Sequence, residues 1–74
     1  MPIVFVKHHS KHSTLSEALQ VARVVSLRRY DATFGVIEDS RDGVFHVEED
    51  YNAPAEFETL HGEYIQGEFI NPDD

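Results

Sequence analysis

The apolar positions of this chain change their spacing twice between the first residue and the last. "PIVFV" (Pro2 to Val6) is apolar throughout and rich in β-branched and aromatic residues. It predicts a strand over roughly residues 2 to 7, buried on both sides or placed at the sheet centre. From Leu15 the spacing lengthens: Leu15, Ala18, Leu19, Ala22 and Val25 recur at steps of three and four, with Val21 and Val24 widening the stripe. That is one face of an amphipathic helix, expected from about Leu15 to Arg29. Thr14 stands as its N-cap with Glu17 three residues on, the spacing of a capping box. Glu17 near the positive end of the helix dipole and Arg28 and Arg29 near the negative end agree with that assignment.

Beyond Asp31 the pattern turns to period two. Ala32 to Glu38 and Val44 to Glu49 are β-rich runs flanking a polar segment with Asp42-Gly43, a hairpin signal because glycine supplies the positive φ such a turn requires. In the second run Phe45 and Val47 share one face, and Val44, His46 and Glu48 the other. The remainder, "YNAPAEFETLHGEYIQGEFINPDD", has two readings. A helix would use Pro54 in its first turn and Phe57, Leu60 and Tyr64 on one stripe. A strand or hairpin would turn at His61-Gly62, and it is favoured because Gly62 and Gly67 would each cost a helix about 1 kcal/mol. "HGEYIQGEF" (61–69) resembles one unit of the MORN repeat, whose strands carry a glycine-glutamate-tyrosine pattern; with one copy, nothing further is drawn from it.

These elements predict an α+β class: one domain over 1–74, β-α-β-β followed by a further strand or hairpin (or a short helix). The sheet is antiparallel with one helix packed on one face, and 70–74 form a frayed tail. Seventy-four residues hold a small core, in which a buried catalytic cleft is hard to build. The start of the chain lacks the basic and small-residue pattern of a secretion signal, and no run approaches the ~20 apolar residues of a membrane span. A soluble, cytoplasmic protein is the expectation.

Charge sharpens the picture. Residues 1–41 hold all six basic residues against four acids, a net of +2, whereas residues 42–74 hold ten acids and no lysine or arginine, a net of −10. Phosphate contacts need cations, so direct nucleic-acid binding through that half is not expected and a basic partner is its natural complement.

Chemistry is sparse. Without cysteine there is no disulfide, thiolate metal site or cysteine nucleophile. Ser10, Ser13, Ser16, Ser26 and Ser40 include none in a nucleophile-elbow context. The four glycines are dispersed, with no phosphate-cradling loop. In "EDSRDGVFHVEED" Asp39, Asp42 and Gly43 suggest a calcium loop, but Arg41 stands among them. His8, His9 and His12 in "KHHSKHST" are candidate metal ligands, read as a loop between strand and helix. Such a loop lacks the rigid placement and supporting carboxylates of a firm zinc site. No enzymatic activity and no cofactor are expected.

The last third mixes acids and aromatics in the manner of an interface with anchors inside a charged rim. The lead reading is therefore a non-enzymatic binding protein whose acidic half occupies the basic surface of a nucleic-acid-handling protein, as a nucleic-acid mimic. Its candidate residues are Glu48, Glu49, Asp50, Glu56, Glu58, Glu63 and Glu68, with Tyr51 and Tyr64 as anchors. In length, acidity and lack of cysteine the chain is similar to the small inhibitors that phages and mobile elements carry, anti-CRISPR proteins among them, which implies an inhibitor or regulator. The alternatives are an assembly subunit acting as a homodimer through an exposed edge strand, and a histidine-loop metal-binding module.

Overall fold

β1 (Lys7–His12), α1 (Leu15–Arg28), β2 (Thr33–Asp39), β3 (Val44–Glu49), β4 (Glu58–Ile65) and β5 (Glu68–Ile70) follow one another in the computed structural model. It describes residues 7–51 and 53–71, with Lys7 and His8 described by their backbone. The strands form one sheet in the order β1-β3-β2-β4-β5, and every neighbouring pair is antiparallel. β1 and β2 are consequently parallel with β3 between them, and α1 is the crossover that joins them. β3 and β4 are parallel in turn, with β2 between them, so residues 50–57 must cross β2 to connect them. The fold is the expected small α+β domain, with the hairpin rather than the helix at its end.

α1 begins where the capping signal puts it: Thr14 Oγ1 accepts the Glu17 amide at 3.3 Å. The Glu17 carboxylate, which would complete a capping box, instead accepts from His12 Nδ1 at 2.6 Å. The helix ends at Arg28 with Arg29 as C-cap. Its fully buried positions are small, Ala18, Ala22 and Ser26, so the backbone lies close to the sheet and the larger Leu15, Leu19, Val21 and Val25 pack around the contact. Beneath it sit Phe34, Val36 and Val47. Ser26 Oγ donates to the Arg23 carbonyl at 2.8 Å and accepts the Gly67 amide at 2.9 Å, fastening the helix to the β4–β5 turn.

The β2–β3 hairpin closes as its sequence predicts, with Gly43 at φ 70° and the Val44 amide bonded to Asp42 Oδ1 at 2.9 Å. Three expectations are corrected. The histidine segment is strand β1 and not a loop; Pro2 to Val6, which carried the strand expectation, lie outside the described residues. A polar run can be a strand here because β1 is an edge, where pairing with β3 supplies the hydrogen bonds and lysine is tolerated. His61-Gly62 is not a turn but part of β4. The turn is Gln66-Gly67, with φ 53° and 81°, the pair of positive values a tight two-residue turn needs. Gly62 is required for another reason, since the Phe69 ring occupies the place of any Cβ there. Residues 53–66 are accordingly loop and strand, and the helix reading of them falls. Ile70, expected in the frayed tail, belongs to β5.

Candidate functional site

Alternation along β2 sends Phe34 and Val36 toward α1 and Gly35, Ile37 and Asp39 to the opposite face. Register partners share a face, so Glu48 and Glu63, both opposite Gly35, and Glu58, opposite Asp39, lie on this second face with Glu68, which pairs with Ile65. Four of the five strands thus contribute an acid to the face that the helix leaves open. Glu48 and Glu63 straddle β2 at two strand spacings, about 10 Å.

Tyr51 is the organiser of this face. Its ring lies over Gly35, where an added Cβ would stand 2.5 Å from the ring carbons, and its hydroxyl donates to the Glu63 carboxylate. Burial, and then the Glu63 bond, push the phenol above its ordinary value, so it remains a donor. At the far end of the crossover Ser40 donates its amide and hydroxyl to the Phe57 carbonyl at 2.8 and 2.9 Å. The Arg41 guanidinium stacks 3.6 Å from the Phe57 ring centroid.

Arg41 also bonds Asp39 through Nε at 3.1 Å, Nη2 at 2.8 Å and its amide at 2.9 Å. These side-chain bonds first, then the backbone bond, hold the Asp39 carboxyl down from 3.8 to about 2. A value lower in the folded than in the unfolded chain makes the contribution fully present above about pH 4 and lost as pH falls toward 2. Asp39→Asn is therefore expected to flatten the loss of stability in that window, read as urea midpoints against pH; a midpoint falling as steeply as in the parent would show the linkage lies elsewhere. Asp39, Asp42 and His46 could bring ligand atoms within 4.8 Å of one another. Arg41 already occupies the Asp39 carboxylate and places a positive charge where a cation would sit.

The remaining predicted residues divide. Glu56 is exposed in the crossover, and Asp50 is exposed at φ 52°. Glu58 accepts the Ala55 amide at 3.0 Å. Glu49 faces α1, buried to 7 % exposure, and takes both terminal nitrogens of Arg29 at 3.2 and 3.3 Å. Tyr64 likewise faces α1, packed in the core against Phe69 at 5.4 Å between centroids. The structure therefore gathers Glu48, Tyr51, Glu58, Glu63 and Glu68 and sends Glu49 and Tyr64 to the other side.

The histidines separate too. A bulge between His8 and Ser10 leaves His9 exposed beside Ser10, with Nδ1 3.3 Å from Oγ. His12 Nε2 lies 2.7 Å from Ser10 Oγ and its Nδ1 2.6 Å from Glu17 Oε1, so both His12 nitrogens have protein partners. The Ser10–His12–Glu17 chain escaped the sequence reading. Recognising 7–12 as a strand would have shown Ser10 and His12 on one face, with Glu17 in the next helical turn.

Among the described residues no helix is long and apolar enough to cross a membrane. Compared with protein-family models, curated proteins and solved structures, the chain matches none.

Proposed function

We propose that the protein is a binder whose open sheet face engages a basic, nucleic-acid-handling protein and inhibits or regulates it from the cytoplasm. The observation that carries this reading is the weight of acid on one face. Glu48, Glu58, Glu63 and Glu68 share the face opposite the helix, where Lys11 stands in register with His46 and Arg41 is committed to Asp39, whereas Arg23 and Arg28 are exposed on the helix and Arg29 is committed to Glu49 and Asp31. An acid row on a rigid sheet presents fixed negative charge at spacings a phosphate-binding groove can accept, and it steers a cationic partner over long range. The small phage and mobile-element inhibitors offer an analogy of size and charge.

The test is capture from native-cell lysate on the immobilised whole protein, washed at low and then high salt, beside the variant Glu48→Lys, Glu56→Lys, Glu68→Lys. Glu49 is left intact because its carboxylate holds Arg29. The expected result is one stoichiometric nucleic-acid-binding protein, released by salt and absent from the variant, whose circular dichroism is unchanged. Equal capture by the variant, or recovery of the bait alone, overturns the reading.

A second reading, a homodimeric assembly subunit, draws on exposed apolar groups. Val24 and Leu27 on α1 stand at 41 % and 47 % exposure, with Phe69 and Ile70 on the edge strand β5 at 49 % and 37 %. It predicts self-association little weakened by salt, measured by sedimentation and reduced by Leu27→Glu.

A further inference from the structure

A serine hydroxyl, an imidazole and a carboxylate stand in line at the junction of β1 and α1. Glu17 Oε1 accepts from His12 Nδ1 at 2.6 Å, and an ionised carboxylate can only accept. The proton of a neutral His12 is therefore on Nδ1, which leaves the Nε2 lone pair facing Ser10 Oγ at 2.7 Å. Ser10 must be the donor in that contact. This is the order of partners, and the tautomer, that a serine nucleophile needs: a base on the hydroxyl and an acid that orients the base and stabilises its cation.

Three features strengthen the arrangement beyond a hydrogen-bonded clamp. Ser10 and His12 project from one face of a strand whose pairing with β3 fixes both, so their mutual geometry does not depend on a flexible loop. Glu17 sits in the first turn of α1, at the end of the helix dipole that attracts a negative side chain. His9 Nδ1 lies 3.3 Å from Ser10 Oγ, and in the tautomer that carries its proton there it can donate toward an acyl group on that atom. The His12 side chain is 12 % exposed and Glu17 59 %, with Ser10 half-buried, which places the chain of contacts at the surface, shielded at its centre and open at Glu17.

We propose that Ser10, His12 and Glu17 form a serine-nucleophile centre that transfers and hydrolyses acyl groups of small carboxylic esters. Ser10 Oγ attacks the ester carbonyl carbon while its proton passes to His12 Nε2. The imidazolium, held by Glu17, returns that proton to the departing alkoxide oxygen as the carbon–oxygen bond breaks, leaving the acyl group on Ser10. Water then attacks the acyl carbon, giving a proton to His12 Nε2. Collapse releases the carboxylic acid and restores the Ser10 hydroxyl, so the cycle consumes one ester and one water and produces one alcohol and one acid. Ser10 and His12 are the catalytic residues and Glu17 a positioning residue. A surface junction suits short acyl chains.

The probes are para-nitrophenyl acetate for turnover and a fluorophosphonate for labelling, both on the whole protein. Because free imidazoles also cleave activated acetates, the decisive comparison is among variants. Ser10→Ala is expected to lower kcat/KM by about 10²-fold or more, the scale of a positioned base, and the fluorophosphonate is expected on Ser10 and lost with His12→Gln. Glu17→Gln should lower kcat with KM unchanged, which a merely structural role would not do. Ser10→Cys gives an independent readout, since it introduces the sole cysteine of the chain. A thiol beside His12 should be alkylated by iodoacetamide at pH 6 about tenfold faster than an ordinary cysteine. Undiminished turnover in Ser10→Ala, fluorophosphonate spread evenly over other serines, or an ordinary alkylation rate in Ser10→Cys would each overturn the proposal.

Discussion

Phe34→Ala is expected to unfold most of the protein. Phe34 lies on the central strand β2, 1 % exposed, between Glu49 on β3 and Tyr64 on β4 and beneath the alanine face of α1. Truncating a buried phenylalanine removes its transfer free energy and leaves a cavity, together costing about 3–5 kcal/mol. A domain of this size has a net stability of about 5 kcal/mol or less, so the loss is comparable to the whole. Closure of the cavity is opposed by the pairing of β2 on both edges, which holds the backbone in place. Urea denaturation followed by circular dichroism measures it. A midpoint shift equivalent to less than about 1 kcal/mol would mean that the ring is not the centre of the core. Phe57→Ala is the contrast: that ring is 37 % exposed and stacked on Arg41, and its loss should cost about 1 kcal/mol.

The two phenylalanines look alike in the sequence, and their difference shows where sequence reading stops. The helix was legible because three independent signals agree over one stretch: the cap at Thr14, the stripe from Leu15 to Val25, and the placement of Glu17 and Arg28. The β2–β3 hairpin was legible because Gly43 marks a backbone conformation directly. β1 was not, since "KHHSKH" has no apolar alternation and becomes a strand through its partner. The last turn was misplaced because two glycines offered it. Gly67 is there for its φ of 81° and Gly62 for the Phe69 ring, and only the folded chain separates those causes. The acids were legible as a field but not as a face. A charge count treats Glu48, Glu49 and Asp50 as one run, whereas the period of two in β3 sends the first two to opposite sides of the sheet. The Ser10–His12–Glu17 contacts were hidden for the same reason as β1: they exist only once residues 7–12 are extended.

Reversing the charge of Glu49 and of Glu48 separately should give opposite outcomes from neighbouring residues. Glu49→Lys is expected to cost at least about 3 kcal/mol, the scale for leaving a buried charge without its partner. The 7 %-exposed carboxylate would be replaced by an ammonium facing the Arg29 guanidinium that it now binds through two nitrogens. Arg29 is 48 % exposed and can turn toward Asp31, already 3.5 Å from its Nε, which relieves repulsion but not the burial of the lysine. Glu48→Lys, on the open and half-buried side, should change stability by less than about 1 kcal/mol while adding two positive units to the acid face. The pair of measurements therefore separates fold from function. If the open face is the binding surface, Glu48→Lys weakens partner capture in a folded protein, and Glu49→Lys loses capture only as it loses structure. The exchange Arg29→Glu with Glu49→Lys should recover part of the lost stability, because it restores opposite charges at the same two sites, and the coupling in that cycle measures the pair itself. No recovery would mean that burial of the carboxylate, rather than its bond to Arg29, sets the cost.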